Sequence, residues 1–481
     1  MKPAWQSLTV AAMAPILMGV LMGADLSGRP PIVEAARSSD HDALRALLAK
    51  KVDVNAVEGD GSTALHWASY RDDLEGVDLL LHAGAKVNAS NDLGATPLWA
   101  ASQNGSAPMV AKLLAAGANP NAALLAGETP VMVAARSGYA NVLELLLAKG
   151  GDPNARGARG QTALMWAVSQ KHPEAVKVLL AHGADVEIRS NAWNEVMAVP
   201  PHGYLPYNRA IPHGGDTALM FAAREDDVES AKLLVAAGAQ VNAADAWGVT
   251  ATTLAAHSGN DDAVAFLLSK GADPNLAAAG FTALHAAIMR RDEALVSALL
   301  DHGANPNVPL QTWTPTRRAS HDFNFAPELV GATPFWLASR FTEPEIMRLL
   351  LKHGADPLFV HRSEKVVDGR GDQLFPHRKE STTALMAATG MGGGVAWVQT
   401  AKSKREALML EAAKIAVEAG IDVNAVNTNG RNALDAARGL GYDSVVKFLT
   451  EKGAKSNAPA AVTPEPRSKD APFTEPKEPP I

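Results

Sequence analysis

Residues 63–89 read TALHWASYRDDLEGVDLLLHAGAKVNA, and the phrase does not stand alone. Its opening returns as TPLWAASQ at Thr96, TPVMVAAR at Thr129 and TALMWAVS at Thr162, in steps of 33 residues. Further copies begin at Thr217, Thr250, Thr282, Thr333 and Thr383, a degenerate NALDAARG begins at Asn432, and PPIVEAAR from Pro30 fits one step before Thr63. The second half recurs as VLELLLAKGGDPNA, AVKVLLAHGADVEI and AVAFLLSKGADPNL. Eleven in-phase copies mark a stack of supersecondary units, none able to bury its apolar face alone.

The chemistry of one unit predicts two helices. Thr63, Thr96 and their equivalents stand where a hydroxyl can cap a helix N-terminus, and the proline or alanine that follows accepts helical φ. The next alanines let neighbouring helices approach closely. A second helix buries a Leu-Leu pair, Leu145 and Leu146 in its repeat, and stops at a glycine such as Gly84, Gly117 or Gly183 suited to the left-handed conformation. The AKVNA and ADPNA segments turn the chain into the next unit.

The 33-residue period, with its T-P-L-H-x-A and LLxxGADxN phrases, resembles the ankyrin repeat family over residues 26–457. The resemblance implies an all-α fold, an ankyrin-repeat solenoid of about eleven helix-turn-helix units, with projecting fingers and no catalysis intrinsic to the fold. It also implies a protein partner bound through the concave face and the fingers. One departure is clear: the family histidine survives only as His66 and His285, replaced by Trp99, Met132, Met165, Met220, Trp336 and Met386.

Composition bounds the rest. The chain of 481 residues is 47% hydrophobic but only 5% aromatic, so its core is built of small side chains in closely stacked helices. A net charge of -7 lacks the basic footprint that neutralising phosphates requires, so nucleic acid is not an expected partner. With no cysteine there is no disulfide and no thiolate chemistry. Residues 1–24, one lysine followed by LTVAAMAPILMGVLMGA in an uncharged run, resemble a signal peptide. An exported chain, periplasmic or secreted, is the expectation, and a cytoplasmic one if that segment is not a signal. Residues 25–457 form the repeat domain, no membrane contact is expected beyond the N-terminal segment, and 458–481 form a Pro- and charge-rich tail expected to be disordered.

Four repeats are lengthened. Residues 187–215, 308–331 and 358–381 fall at the finger position, whereas 390–406, GMGGGVAWVQTAKSKRE, fall between two helices of one repeat and read as a mobile loop. The finger insertions carry eight of the chain's 25 aromatic residues, about twice the average density. Trp193, Tyr204, Tyr207, Trp313, Phe323 and Phe325 are therefore candidate partner-binding anchors, unless the rings pack back on the repeats. Seven and eight residues past each threonine the family exposes a variable row, here including Tyr70, Arg71, Arg136, Arg224, Arg290 and Arg340, suited to a partner with carboxylates.

Catalytic signatures are missing: no G-x-S-x-G, phosphate loop, H-E-x-x-H or dinucleotide fingerprint occurs. No catalytic, cofactor or metal residues are assigned, no cofactor is implied, and the chain is not expected to be an enzyme. The expectation is a monomeric protein-interaction module: a scaffold, adaptor or regulator of a protein partner. The alternatives are a secreted host-directed effector and a metal-dependent enzyme built on the finger insertions, where His361 and His377 flank Asp368 and Asp372.

Overall fold

A computed structural model describes residues 28–197, 209–314, 325–366, 377–393 and 402–457. The segments read as a signal and as a tail, and Tyr204, Tyr207 and Phe323, lie outside the described residues. The described residues hold eleven helix pairs, and the chain divides into two compact bodies, an N-terminal one up to Glu195 and from Ala210 to Asp273, and a C-terminal one from Pro274 onward that also takes Val196–Arg209.

The N-terminal body contains seven pairs: α1 (Pro31–Arg37) and α2 (His41–Ala49), α3 (Ala64–Tyr70) and α4 (Leu74–His82), α5 (Pro97–Asn104) and α6 (Ala107–Ala115), α7 (Pro130–Ser137) and α8 (Ala140–Ala148), α9 (Ala163–Ser169) and α10 (Pro173–Ala181), α11 (Ala218–Glu225) and α12 (Val228–Ala236), α13 (Ala251–Ser258) and α14 (Asp261–Ser269). Between α10 and α11, β1 (Trp193–Met197) and β2 (Arg209–His213) form a two-stranded sheet. First helices pack on first helices from α1 to α13. The alanines allow this approach: Ala68, Ala101, Ala134, Ala167, Ala222 and Ala255 are fully buried.

The C-terminal body holds α15 (Ala283–Arg290) and α16 (Glu293–Asp301), α17 (Pro334–Arg340) and α18 (Pro344–Lys352), α19 (Ala384–Ala388) and α20 (Lys402–Glu418), α21 (Ala433–Leu440) and α22 (Asp443–Glu451). An antiparallel hairpin, β3 (His361–Val366) with β4 (His377–Thr382), precedes α19. The insertion at 308–331 forms no strand among its described residues; it includes a short 3₁₀ turn, Pro327–Leu329. The insertion at 390–406 is not wholly a loop, because from Lys402 it extends α20 to 17 residues. That extension is anchored: Glu406 Oε1 accepts from the Ser444 backbone N–H at 2.8 Å and its hydroxyl at 2.7 Å.

Caps explain where the helices start. Thr96, Thr129, Thr162, Thr250, Thr282 and Thr383 accept a hydrogen bond from the backbone N–H three residues on. In the degenerate repeat Asn432 takes the role, exchanging bonds with Asp435 in both directions at 3.1 Å. Ends follow a second rule. Gly105, Gly138 and Gly259 close first helices with positive φ, but the same step is taken by Asp72, Lys171, Asp226, Arg291 and Thr342 at φ of 54–59°. For the β-branched Thr342 that conformation stores strain of about 1–2 kcal/mol.

The asparagine of the repeat is a rung between neighbours. Asn121 Nδ2 donates to the Gly150 carbonyl at 2.8 Å and its Oδ1 accepts from the Asp152 backbone N–H at 2.8 Å, and Asn55, Asn88, Asn154 and Asn242 do the same one repeat apart. Glu187 replaces asparagine and keeps only the acceptor, for Gln240 N–H at 2.8 Å. Asn307 spans an insertion to reach Gly354 and Asp356. Leu358 occupies the next position and cannot form a rung.

The buried leucine pair sits one residue later than the sequence pattern suggested. Leu146 is fully buried and Leu147 is 7% exposed, while Leu145 is half-buried. The 3.6-residue turn places Leu143, Leu146 and Leu147 on one stripe, together with Val142.

Candidate functional site: the first-helix row and the insertions

The variable row of the N-terminal body is a chain of rings, guanidiniums and carboxylates. Arg37 lies 5.0 Å from the Trp67 ring centroid, Arg136 5.7 Å from Trp166 and Arg224 5.5 Å from Phe221. The first two cross from one repeat to the next, so each arginine covers the ring that follows it. Carboxylates on the residue before the cap complete the pattern: Glu128 pairs with Arg136 at 2.5 Å and Asp216 with Arg224 at 3.0 Å. Arg224 thus pairs with Asp216 rather than with its sequence neighbours Glu225 or Asp226. Burial raises the pKa of Glu128, the desolvation outweighing the nearby Arg136 charge.

At the N-terminal end of the row, Tyr70 meets Trp67 edge-on at 6.1 Å and Arg71 is exposed. The Trp67 indole N–H donates to Glu58, whose other oxygen accepts from Arg29 at 2.5 Å. Held this way, Trp67, Trp166 and Phe221 are half-buried, with their rotamers restrained and part of each ring open. Trp193 on β1 is exposed, at 41%, and is the aromatic of the first insertion among the described residues. It stacks on His213 of β2 at 5.6 Å and carries Arg159 at 5.3 Å from its centroid.

Three candidates of the C-terminal body are not surface anchors. Trp313 is 7% exposed and Phe325 4%, and Phe325 packs on Phe281 at 5.5 Å and edge-on to His285 at 6.3 Å. Trp313 and Phe325 are buried in their own body, because a lengthened turn with no strand pairing among its described residues gains most by burying its apolar side chains. Arg340 is 8% exposed, not part of an open row; burial lowers its pKa, and its Nε donates to the Gly393 carbonyl at 2.8 Å. Arg290 is half-buried.

The histidine substitutions change the bonding. His66 Nδ1 lies 3.1 Å from Thr63 N–H and 2.9 Å from its hydroxyl, while Nε2 reaches the Ala95 carbonyl of the next repeat at 2.9 Å. In another repeat the Thr217 N–H meets the Met220 sulfur at 3.5 Å, a weaker acceptor with no donor to pass on. Trp336 instead stacks on His361 at 4.3 Å. Both are fully buried, and the Trp336 indole N–H, both His361 ring nitrogens and the Thr382 hydroxyl have no hydrogen-bond partner among the described residues. Burial pushes the His361 pKa down to about 4, and that of His285 to about 4. The sequence pattern missed this cluster: its histidine sits in an insertion and its indole in a repeat position.

His361 is therefore a core residue, and Asp368 and Asp372 lie outside the described residues. Among the described residues no group of three or more His, Asp or Glu side chains is placed to hold a metal ion, and no helix is long and apolar enough to cross a membrane.

Models of ankyrin repeats match residues 8–91, 98–190, 204–278 and 276–360, and a many-copy ankyrin model matches 164–235. The stacked helix pairs and these matches, which cover well over half of the sequence, define the class: the chain belongs to the ankyrin repeat family. It is 32% identical over 161 residues to a mitochondrial disaggregase of Bos taurus, covering 24% of this chain and 24% of that protein. It is 43% identical over 94 residues to an ankyrin repeat-containing protein of Treponema pallidum (strain Nichols), covering 19% of this chain and 32% of that one. The chain thus spans about a quarter to a third of these relatives. The human ASB11 ankyrin repeat domain aligns at 30% identity and a TM-score of 0.42, over 51% of this chain and all of that one. Ankyrin repeats are protein-protein interaction modules, and the fold is typically a non-enzymatic scaffold.

Proposed function

We propose that this protein is a scaffold or adaptor that holds a protein partner on the first-helix row of its N-terminal body and on the β1-β2 hairpin. The observation that carries the reading is the set of half-open rings Trp67, Trp166 and Phe221, each beside an arginine, two of which, Arg136 and Arg224, are already fixed by carboxylates. Aromatic rings and arginines held before contact lose little side-chain entropy on binding, and they are the residue types enriched where binding energy concentrates. Trp193 adds an exposed ring at the hairpin. A partner presenting apolar side chains flanked by carboxylates suits this face, since Arg136 and Arg224 retain donors beyond those their carboxylates use. Export through residues 1–24 belongs to the same proposal and places the partner in an envelope or extracellular compartment; N-terminal sequencing of the protein from its native cell checks it.

Affinity capture with the native chain against the Trp67→Ala, Trp166→Ala, Phe221→Ala triple variant tests the surface. The expected result is a protein retained by the native chain and lost by the variant, with unchanged helical circular dichroism and melting. Equal retention by a folded variant would move recognition elsewhere.

A further inference from the structure

The C-terminal body departs from the 33-residue period three times, and the three departures meet. The insertion at 308–331 supplies Glu328, that at 358–381 supplies Ser363, Arg378, Lys379 and Glu380, and that at 390–406 supplies Gly393. With Asn429 from the next repeat's turn they line a cavity of about 400 Å³. Regular repeats would provide only the last of these. Its size falls within the roughly 300–1,000 Å³ of small-molecule sites.

The base of this cavity is firmly built. In the hairpin register Ser363 faces Glu380 and His361 faces Thr382, and alternate residues share a face. His361 and Thr382 therefore continue the Ser363–Glu380 face down to the Trp336 ring. Gly392 lies so close to this floor that a Cβ there would stand 2.5 Å from Trp336 Cζ2 and 3.0 Å from Thr382 Oγ1. Arg340 Nε donates to the neighbouring Gly393 carbonyl. Glu380 is oriented by Asn427 Nδ2 at 3.1 Å, and Lys379 is occupied by Glu364 at 3.6 Å.

The lining carries two carboxylates on different insertions, Glu328 and Glu380, on which the charge of buried Arg340 also acts, two cations, Arg378 and Lys379, a serine hydroxyl and a carboxamide. A simple anion meets two carboxylates in this cavity, and a simple cation meets an arginine and a lysine; a ligand bearing both charges satisfies both. We propose that the cavity binds a small zwitterion with an ammonium and a carboxylate, as in a free amino acid or a dipeptide. The ammonium is received by Glu328 and Glu380, the carboxylate by Arg378, and neutral groups by Ser363 and Asn429.

Titration calorimetry of the full chain with L-alanine, L-alanyl-L-alanine, N-acetyl-L-alanine and L-alaninamide tests this. Saturable heat is expected from at least one zwitterion, with affinity reduced about tenfold or more when either charge is blocked. The tighter of alanine and dialanine shows which source the site suits. Glu380→Gln and Arg378→Gln should each weaken binding about tenfold or more at unchanged melting temperature, and Glu328→Gln, from a different insertion, repeats the test should Glu380→Gln fold poorly. The Trp67, Trp166, Phe221 triple variant should bind the zwitterion as the native chain does, which separates this site from the protein-binding face. No saturable heat from either zwitterion, or equal binding of the blocked compounds, would overturn the assignment.

Discussion

His361 shows what one residue outside the repeat pattern can do to the stability profile. Its ring is buried against Trp336 without a hydrogen-bond partner among the described residues, and its pKa falls to about 4 from the ordinary imidazole value of 6.5. A base whose folded pKa is depressed binds fewer protons folded than unfolded between those values. Its stabilising contribution is present above pH 6.5 and is lost as pH falls to 4, on the order of 3 kcal/mol. His285 acts in the same sense. Glu343 acts oppositely: desolvation raises its carboxyl to about 7 against the Arg291 charge 3.2 Å away, so protonation below pH 7 favours the fold. Replacing His361 by phenylalanine keeps a ring on Trp336 and removes the titration. Urea unfolding at pH 7.5 and pH 4.5 should show a variant near the parent at the higher pH and clearly more stable at the lower. A constant difference at both pH values would refute the assignment. His361 was visible in the sequence only as a histidine in an insertion, because its burial depends on pairing with Thr382 and stacking on an indole 25 residues earlier, neither of which follows a period.

At the scale of the element, period and chemistry reveal nearly everything that repeats. Thr96 and its equivalents cap, the alanines pack, and the asparagines bond in a register set 29 and 31 residues ahead. A one-residue error survives because three successive leucines, Leu145 to Leu147, leave the helical phase open until the neighbouring helices α6 and α10 choose it. The insertions were placed but not interpreted: whether Phe325 faces a partner or Phe281 depends on contacts that composition does not encode. The phase is measurable. Leu146→Ala should cost about 2–5 kcal/mol, as for a fully buried leucine, and Leu147→Ala somewhat less, whereas Leu145→Ala should cost about 1 kcal/mol. Equal losses at Leu145 and Leu146 in denaturant titrations would contradict the observed stripe.

At the scale of the whole molecule, stacked repeats have stabilities that add neighbour by neighbour, so the weakest interface sets where the chain opens first. The N-terminal body has an unbroken series of rungs at Asn55, Asn88, Asn121, Asn154, Glu187 and Asn242. The C-terminal body has rungs at Asn275, Asn307 and Asn424 but an exposed Leu358 between the last two, in the repeat before the 390–406 insertion. Near that gap sit the unpartnered polar atoms of Trp336, His361 and Thr382 and the positive φ of Thr342. A missing pair of backbone-directed bonds is worth about 1–3 kcal/mol, and each buried polar group left unpaired costs about as much. These terms act in one direction and on one stretch of chain. Hydrogen exchange followed by mass spectrometry across a urea series should therefore show peptides from 334–418 losing protection at a lower urea concentration than peptides from 97–181. Replacing Leu358 with asparagine, which restores the donor and acceptor toward Gly420 and Asp422, should move the first of these midpoints toward the second and leave the second in place. Coincident midpoints in the native chain would mean that the body from Pro274 onward is as stable as the rest and that the missing rung is compensated by the β3-β4 hairpin, whose Ser381 N–H already bonds Thr428 at 2.9 Å.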